Sequence, residues 1–355
     1  MTFLSRRRYL QGAFATSLLA NLAQGRSNLA APRPSTPATF LPWQIGLGED
    51  PARLLQEMAT DPAVKALVQA WSPHFLTAWL NSFNHQTGDL SFWRTWHQNQ
   101  LLSQWFDQGY GLQVITWEDD RQLPTGEYHL SRQYLEDLEE IATYIRQANP
   151  RQRPTYWTLA TEFSYWRLPA DTYNVETAAY YQALMANVLR ARQVIRQQLP
   201  QAWVALSWGG WIVTFDDPQQ GRGRSMIPAF ADTMAQMDGI AFQSMRPFLT
   251  GEYNPQLKQA DLGNPAQILE CCQVFSQYHS SLMVAHYEPS IKAKHPHGGR
   301  ADIVTHDFLL MMQPDWLQSS RSLGLDKFSI MHYGLLKGDV HFSQTAAQTL
   351  QLLTR

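Results

Sequence analysis

Cysteine is nearly absent from this sequence. The two that occur, Cys271 and Cys272, are adjacent. Neighbouring cysteines rarely pair and lack metal-ligand spacing, so a disulfide framework and a zinc site are both excluded in favour of buried structural thiols. Charge is sparse as well: Lys, Arg, Asp and Glu make up 16% of 355 residues, with a net charge of −2. No basic run follows the N-terminus, so neither nucleic acid nor an anionic membrane surface is an expected partner. A Gly-x-Ser-x-Gly elbow is missing, which removes the serine-hydrolase reading. Gly46-Leu47-Gly48-Glu49 lacks the third glycine of a dinucleotide-binding turn. The histidines His295 and His297, with His286 nearby, invite a metal. They sit among Pro, Gly and Lys without clustered Asp or Cys, so the expected metal is none and no cofactor is expected.

What the sequence does have is a 44% apolar content, enough for a full core, and thirteen Trp with fourteen Tyr. About half of these aromatics are expected to pack the core. The others are candidate stacking surfaces for sugar rings, whose C–H faces are apolar and whose rims are polar.

At the N-terminus, Ser5-Arg6-Arg7-Arg8-Tyr9-Leu10-Gln11 resembles the twin-arginine export signal. The apolar run from Leu10 to Ala23 is too short, and too interrupted by polar residues, to span a bilayer comfortably. The resemblance implies a signal peptide over 1–31, cleaved between Ala23 and Ala31, and a Pro-rich spacer over 32–39. It also implies the twin-arginine export machinery as a partner, no stable membrane span after processing, and a periplasmic or extracellular destination in a bacterium. Export in the folded state fits a chain with no disulfide scaffold.

From residue 40 to 355, apolar runs of strand length alternate with amphipathic runs of helix length. The predicted strands are Trp43–Leu47, Phe75–Trp79, Leu112–Thr116, Tyr156–Ala160, Trp203–Ser207, Gly239–Gln243, Leu282–His286 and Phe328–His332. The predicted helices are Pro62–Trp71, Trp93–Phe106, Arg132–Ala148, Val175–Gln198, Pro228–Met237, Pro265–Tyr278, His306–Ser322 and Ser343–Leu353. Strict alternation argues for a parallel sheet, and continuous apolar strands argue that both its faces are buried. Eight units in one domain point to an α/β fold, a single (β/α)8 TIM barrel, with an open doubly wound sheet as the alternative. Long connections leave strands three to seven and short ones enter them, which is where such a barrel keeps its chemistry.

Two stretches stand out within that frame. Thr155–Trp166, TYWTLATEFSYW, delivers Glu162 just past the fourth strand. Ser281–Pro289, SLMVAHYEP, delivers Glu288 just past the seventh. In an eight-stranded barrel these strands lie three steps apart, so both carboxylates can lean into one mouth. A separation of about 5–5.5 Å supports double displacement, and roughly 6.5–9.5 Å admits a water and inverts the product. Glu162, beside Phe163, Tyr165 and Trp166, is expected to be raised by desolvation and to donate a proton. Glu288 is expected to be held ionised by a tyrosine hydroxyl, from Tyr287 or Tyr333. The predicted sugar contacts are Trp117, Asp119, Trp166, Trp208, Trp211, Tyr287 and Tyr333. Glu118, Asp120, Asp216 and Asp217 compete as rim carboxylates.

A glutamate after strand four and another after strand seven resemble the layout of the clan of retaining (β/α)8 glycoside hydrolases. Ile115-Thr116-Trp117-Glu118 and Thr161-Glu162-Phe163-Ser164-Tyr165-Trp166 are loosely similar to the mannanase-type family 26. The resemblance covers roughly Trp43 to Tyr333 and implies Glu162 as acid/base, Glu288 as nucleophile and a carbohydrate substrate. The chain departs from the pattern in three places. Thr161 stands where Asn or His precedes the acid/base. No arginine follows strand two, and His332-Tyr333 replace a tryptophan after strand eight. The alternatives are a catalytically silent carbohydrate-binding barrel in envelope or exopolysaccharide metabolism, and a barrel hydrolase working through Asp119 or the Asp216/Asp217 pair.

Overall fold

In the computed structural model of this protein the described residues are 43–48, 50–81, 89–118, 127–163, 173–215, 226–255, 258–289 and 300–336. The unit Met1–Thr39, which carries the expected export tag and spacer, lies outside them, as does the predicted helix Ser343–Leu353.

Eight parallel strands close into a barrel. They are β1 (Gln44–Leu47), β2 (Phe75–Asn81), β3 (Gly111–Trp117), β4 (Thr155–Thr161), β5 (Trp203–Trp208), β6 (Gly239–Ser244), β9 (Leu282–Tyr287) and β10 (Leu325–Ile330), with β10 paired back onto β1. The fold is therefore a single (β/α)8 TIM barrel. A small antiparallel ribbon, β7 (Tyr253–Asn254) and β8 (Gln259–Ala260), interrupts the connection from β6. The helices in chain order are α1 (Pro51–Thr60), α2 (Pro62–Trp71), α3 (Asp89–Gln98), α4 (Leu101–Asp107), α5 (Arg132–Ala148), α6 (Ala178–Gln198), α7 (Ile212–Phe215), α8 (Met226–Ala229), α9 (Ala231–Gln236), α10 (Gly263–Phe275), α11 (Arg300–Met311) and α12 (Pro314–Ser322). No helix among the described residues is long and apolar enough to cross a membrane.

Several elements differ from expectation for local reasons. The run Trp93–Phe106 is two helices, because Gln100 takes a left-handed φ of 58° between them. Likewise His306–Ser322 divides at Pro314, which cannot donate to a preceding turn and instead starts α12. The helix α1 was not predicted, although Asp50-Pro51 repeats the capping arrangement of Asp61-Pro62: each aspartate accepts a backbone N–H two residues on, at 2.8 and 2.9 Å. The last strand begins three residues earlier than expected. Asp326 and Lys327 interrupt the apolar run, yet Lys327 is 7% exposed. Its Nζ donates to Asp326 (2.8 Å) and Ser281 (2.9 Å) and lies 4.5 Å from the Trp203 ring centroid, which is what lets a lysine face the barrel interior.

The barrel interior is layered, as a packed core rather than a pore. At the N-terminal end Phe75, Tyr156, Ala205, Ala241, Met283 and Ala285 form an apolar plug with Trp203 beside it. Above it lies a polar layer. Thr77 Oγ1 donates to Gln113 Oε1 (3.3 Å) and shares a hydrogen with Ser329 Oγ (3.0 Å). Gln113 Nε2 donates to Thr158 Oγ1 (3.3 Å) and to the Ala285 carbonyl (3.1 Å), so one amide links β2, β3, β4 and β9. The third layer is the mouth.

Candidate active site

Both candidate carboxylates follow a register shift that re-aims their strand. Ile115 pairs with Thr158 and Trp117 with Thr161, so β4 carries one residue more than β3 at its end. In β9, Val284 pairs with Phe242 and His286 with Gln243, again one residue extra. A bulge of this kind flips the inward and outward alternation. Met283 and Ala285 face the interior plug, and the extra residue then turns His286 inward as well. His286 meets the half-buried Trp79 edge-on at 4.8 Å between ring centroids, with Gln243 Nε2 3.5 Å from its Nδ1 and Met331 Sδ against its Nε2. Tyr287 consequently faces outward and Glu288 returns to the mouth.

Glu288 is 4% exposed. Its N–H extends the ladder to the Ser244 carbonyl (3.1 Å), and its Oε2 lies 3.4 Å from His332 Nε2. Glu162 is half-buried and accepts from Trp117 Nε1 at 3.3 Å. Its backbone is strained, with φ of +64° after a φ of +51° at Ala160. Such left-handed positions cost energy for residues other than glycine and cluster at functional sites. The surroundings hold that strain in place. The Ala160 N–H goes to the Thr116 hydroxyl (2.9 Å), the Phe163 N–H closes a turn to the Ala160 carbonyl (3.0 Å), and Phe163 is sealed among Trp208, Phe230 and Tyr181. The strands carrying the two glutamates, β4 and β9, lie three places apart in the ring.

Of the predicted sugar contacts, Trp117 and Trp211 are half-buried at this end of the barrel. The turn that presents Trp211 needs its glycines: a side chain at Gly209 would enter the Trp211 ring, and one at Gly210 would strike the Gln243 carbonyl. Asp119 and Trp166 lie outside the described residues, as do Asp120, Asp216, Asp217, His295 and His297. Three expectations need correcting. Trp208 is fully buried on the helix-facing side, against Phe163, Phe230 and Phe275. Tyr287 packs between Phe308 and Phe328 and donates its hydroxyl to Asp307 Oδ2 (2.8 Å), so it neither stacks on a sugar nor bonds Glu288. Tyr333 is buried in a 3-10 turn. None of the three presents a face to solvent.

Glu118, one of the competing rim carboxylates, is also sealed. Its carboxylate lies 3.3 Å from the Tyr128 N–H nitrogen, 3.4 Å from the His129 N–H nitrogen and 3.3 Å from His129 Nδ1, and it pins the turn that returns the chain to α5. Burial pushes His129 down to about 3. His286 is also lowered to about 3, by burial first and by the nearby His332 second, so it stands in the mouth as a neutral imidazole. Trp79, Gln243, His286 and Met331 were missed as residues of this end of the barrel, and His332 was noted only as a departure after strand eight. The bulge in β9 against β6 reveals His286 beside Gln243, and it has no signal in sequence.

The fold places the protein among the (β/α)8 barrels, with Glu162 and Glu288 just past the C-terminal ends of β4 and β9. No family model matches this sequence, and neither does any curated protein. Among solved structures, the catalytic domain of a Thermobifida fusca endoglucanase is similar with a TM-score of 0.50 and 13% identity, over 82% of this chain and 79% of that one. Xylanase A of P fluorescens subsp. cellulosa, in complex with xylopentaose, has a TM-score of 0.50 and 10% identity over 82% and 86% of the two chains. A β-glucosidase from Thermotoga maritima gives 0.46 and 9% over 78% and 77%. At these identities the likeness shows the fold.

Proposed function

We propose that this chain is an exported glycoside hydrolase that cleaves a β-linked poly- or oligosaccharide by double displacement, with Glu162 as acid/base and Glu288 as nucleophile. The observation that supports the reading is a one-residue register shift near the end of β4 and another in β9, each shortly before a glutamate at the C-terminal end of the barrel. In the first step a Glu288 oxygen forms a bond to the anomeric carbon while the glycosidic C–O bond breaks, and Glu162 gives its proton to the departing oxygen. In the second, Glu162 takes a proton from water as that water attacks the same carbon, and Glu288 leaves as a carboxylate. Trp117 orients Glu162 through its indole N–H. Trp117 and Trp211 are the candidate stacking faces for the sugar. The twin-arginine-like N-terminus supports export to the periplasm or beyond.

Purified protein is screened against chromogenic β-glycosides, glucans and mannans. Glu288→Ala is expected to abolish turnover of all of them. Glu162→Ala should lose about 10²–10⁴-fold on polysaccharide yet retain much of its first step on aryl glycosides, whose leaving group departs without a proton. Sugar binding by the parent protein without turnover would replace this reading with a silent binding barrel. Turnover that survives both changes would move the chemistry to Asp119 or the Asp216/Asp217 pair.

A further inference from the structure

The β7–β8 ribbon stands in the connection from β6 to α10 and is rooted beside Glu288. Ser244, whose carbonyl accepts the Glu288 N–H, donates its hydroxyl to Asn264 Oδ1 at 2.9 Å. The same Asn264 oxygen accepts the Arg246 N–H (2.7 Å), and its amide donates to Asp307 (2.7 Å), the carboxylate that also holds the Tyr287 hydroxyl. Further out, Asp261 takes the Arg246 guanidinium in a two-point pair (2.6 and 2.9 Å), the Asn254 amide (2.7 Å) and the Gly263 N–H (2.8 Å). A ribbon of two residues a side is not stable alone. This one is fixed by the largely buried Arg246–Asp261 pair, whose carboxylate also takes the ribbon's Asn254 amide and the Gly263 N–H at the start of α10.

What the fixed ribbon displays is an aromatic ring. Tyr253 and Ala260 face each other across the strands and are both exposed, Tyr253 at 62%. Asn254 points the other way, buried against Asp261. Ala260 is too small to cover the Tyr253 ring, and the neighbouring Gln259 adds an exposed amide. A single ring with one small neighbour is far below the roughly 800 Å² per partner of a stable protein interface. Among the described residues of the ribbon, 253–255 and 258–260, Lys258 is the one cation, and Arg246 behind it is neutralised by Asp261, too little free charge for nucleic acid or an anionic membrane. A rigid aromatic face with a neutral amide beside it matches an uncharged sugar ring.

We propose that Tyr253 is a stacking platform for an outlying sugar unit of a β-linked glycan that leaves the barrel mouth on the Glu288 side. The inference rests on the hydrolase reading above and deepens it: the site takes chains that reach beyond the residues flanking the cleaved bond. The test compares wild type, Tyr253→Ala and Tyr253→Phe on aryl β-glycosides and on β-1,4-linked gluco-, manno- and xylo-hexasaccharides. Expected are unchanged aryl-glycoside turnover in all three and a KM about tenfold higher for the hexasaccharide in Tyr253→Ala alone. Hexasaccharide KM values equal in wild type and Tyr253→Ala would overturn the platform and leave the hydrolase reading standing. So would a Tyr253→Ala effect on oligomeric state, read by analytical ultracentrifugation, without one on sugar. A wild-type protein that turns over neither substrate class and binds no hexasaccharide in calorimetry would overturn both.

Discussion

At the scale of single residues, the C-terminal end of the barrel carries a strained glutamate past β4 and a buried one past β9. Glu162 sits at positive φ and is steered by Trp117, while Glu288 is enclosed beside His332. Beneath them His286 is a buried neutral imidazole whose folded pKa is about 3. The unfolded chain takes up that proton near pH 6.5 and the folded chain does not, so stability is intact above 6.5 and is lost as pH falls from there toward 3. The loss is about 1.4 kcal/mol per pH unit. Urea unfolding at pH 7 and pH 5 should show a shallower pH dependence in His286→Gln than in wild type. An identical dependence would remove His286 as the cause. Both glutamates were legible at this scale because an apolar run ending in a lone carboxylate is visible in sequence. The fates of Trp208 and Tyr287 were not. A strand residue faces the mouth or the helix layer according to a bulge, and a bulge inserts no distinctive residue.

At the scale of elements, local chemistry explains what was readable and what was not. Helices α2 and α5, capped by Asp61 and Ser131, and strands of unbroken apolar residues announce themselves, whereas α1 went unread despite the same Asp-Pro cap. The β7–β8 ribbon does not, since two-residue strands held by a distant Arg246–Asp261 pair leave no periodicity. Burial alone would raise Asp261, but the bonds from Arg246, Asn254 and the Gly263 N–H outweigh it and hold the carboxyl below its usual 3.8. Its contribution is thus present at neutral pH and lost as pH falls through that depressed value. Arg246→Ala leaves the carboxylate buried and unpaired, a change that costs about 3–5 kcal/mol, more than a ribbon this short can withstand. Hydrogen exchange should then speed up at the N–H groups of Gly251 and Asp261, which bond the Asp261 and Glu252 carbonyls. Exchange in β3 and β4 should be unchanged. Protection retained at Gly251 and Asp261 would show that the pair does not hold the ribbon.

At the scale of the whole molecule, closure of the barrel depends on its interior as much as on its ladders. Gln113 bonds partners on three other strands from the centre of the ring. Gln113→Leu removes those bonds and leaves the Ala285 carbonyl and the Thr77 hydroxyl short of partners in a dry core. The expected cost is about 1–3 kcal/mol, seen as a lower urea midpoint with an unchanged slope. An unaltered midpoint would mean that packing alone holds the layer.

The sequence by itself determined the closed ring of eight parallel strands, the two glutamates past β4 and β9 and the absence of a disulfide scaffold. Each of these follows from short-range patterning of apolar, capping and charged residues along the chain. Only the tertiary structure decided which side chains share the mouth. It placed His286 and Trp79 there, withdrew Trp208, Tyr287 and Tyr333 into packing, sealed Glu118 behind a turn, and raised Tyr253 on a pinned ribbon. Inward or outward direction depends on register between strands distant in sequence, and register is set by pairing and closure rather than by any one segment.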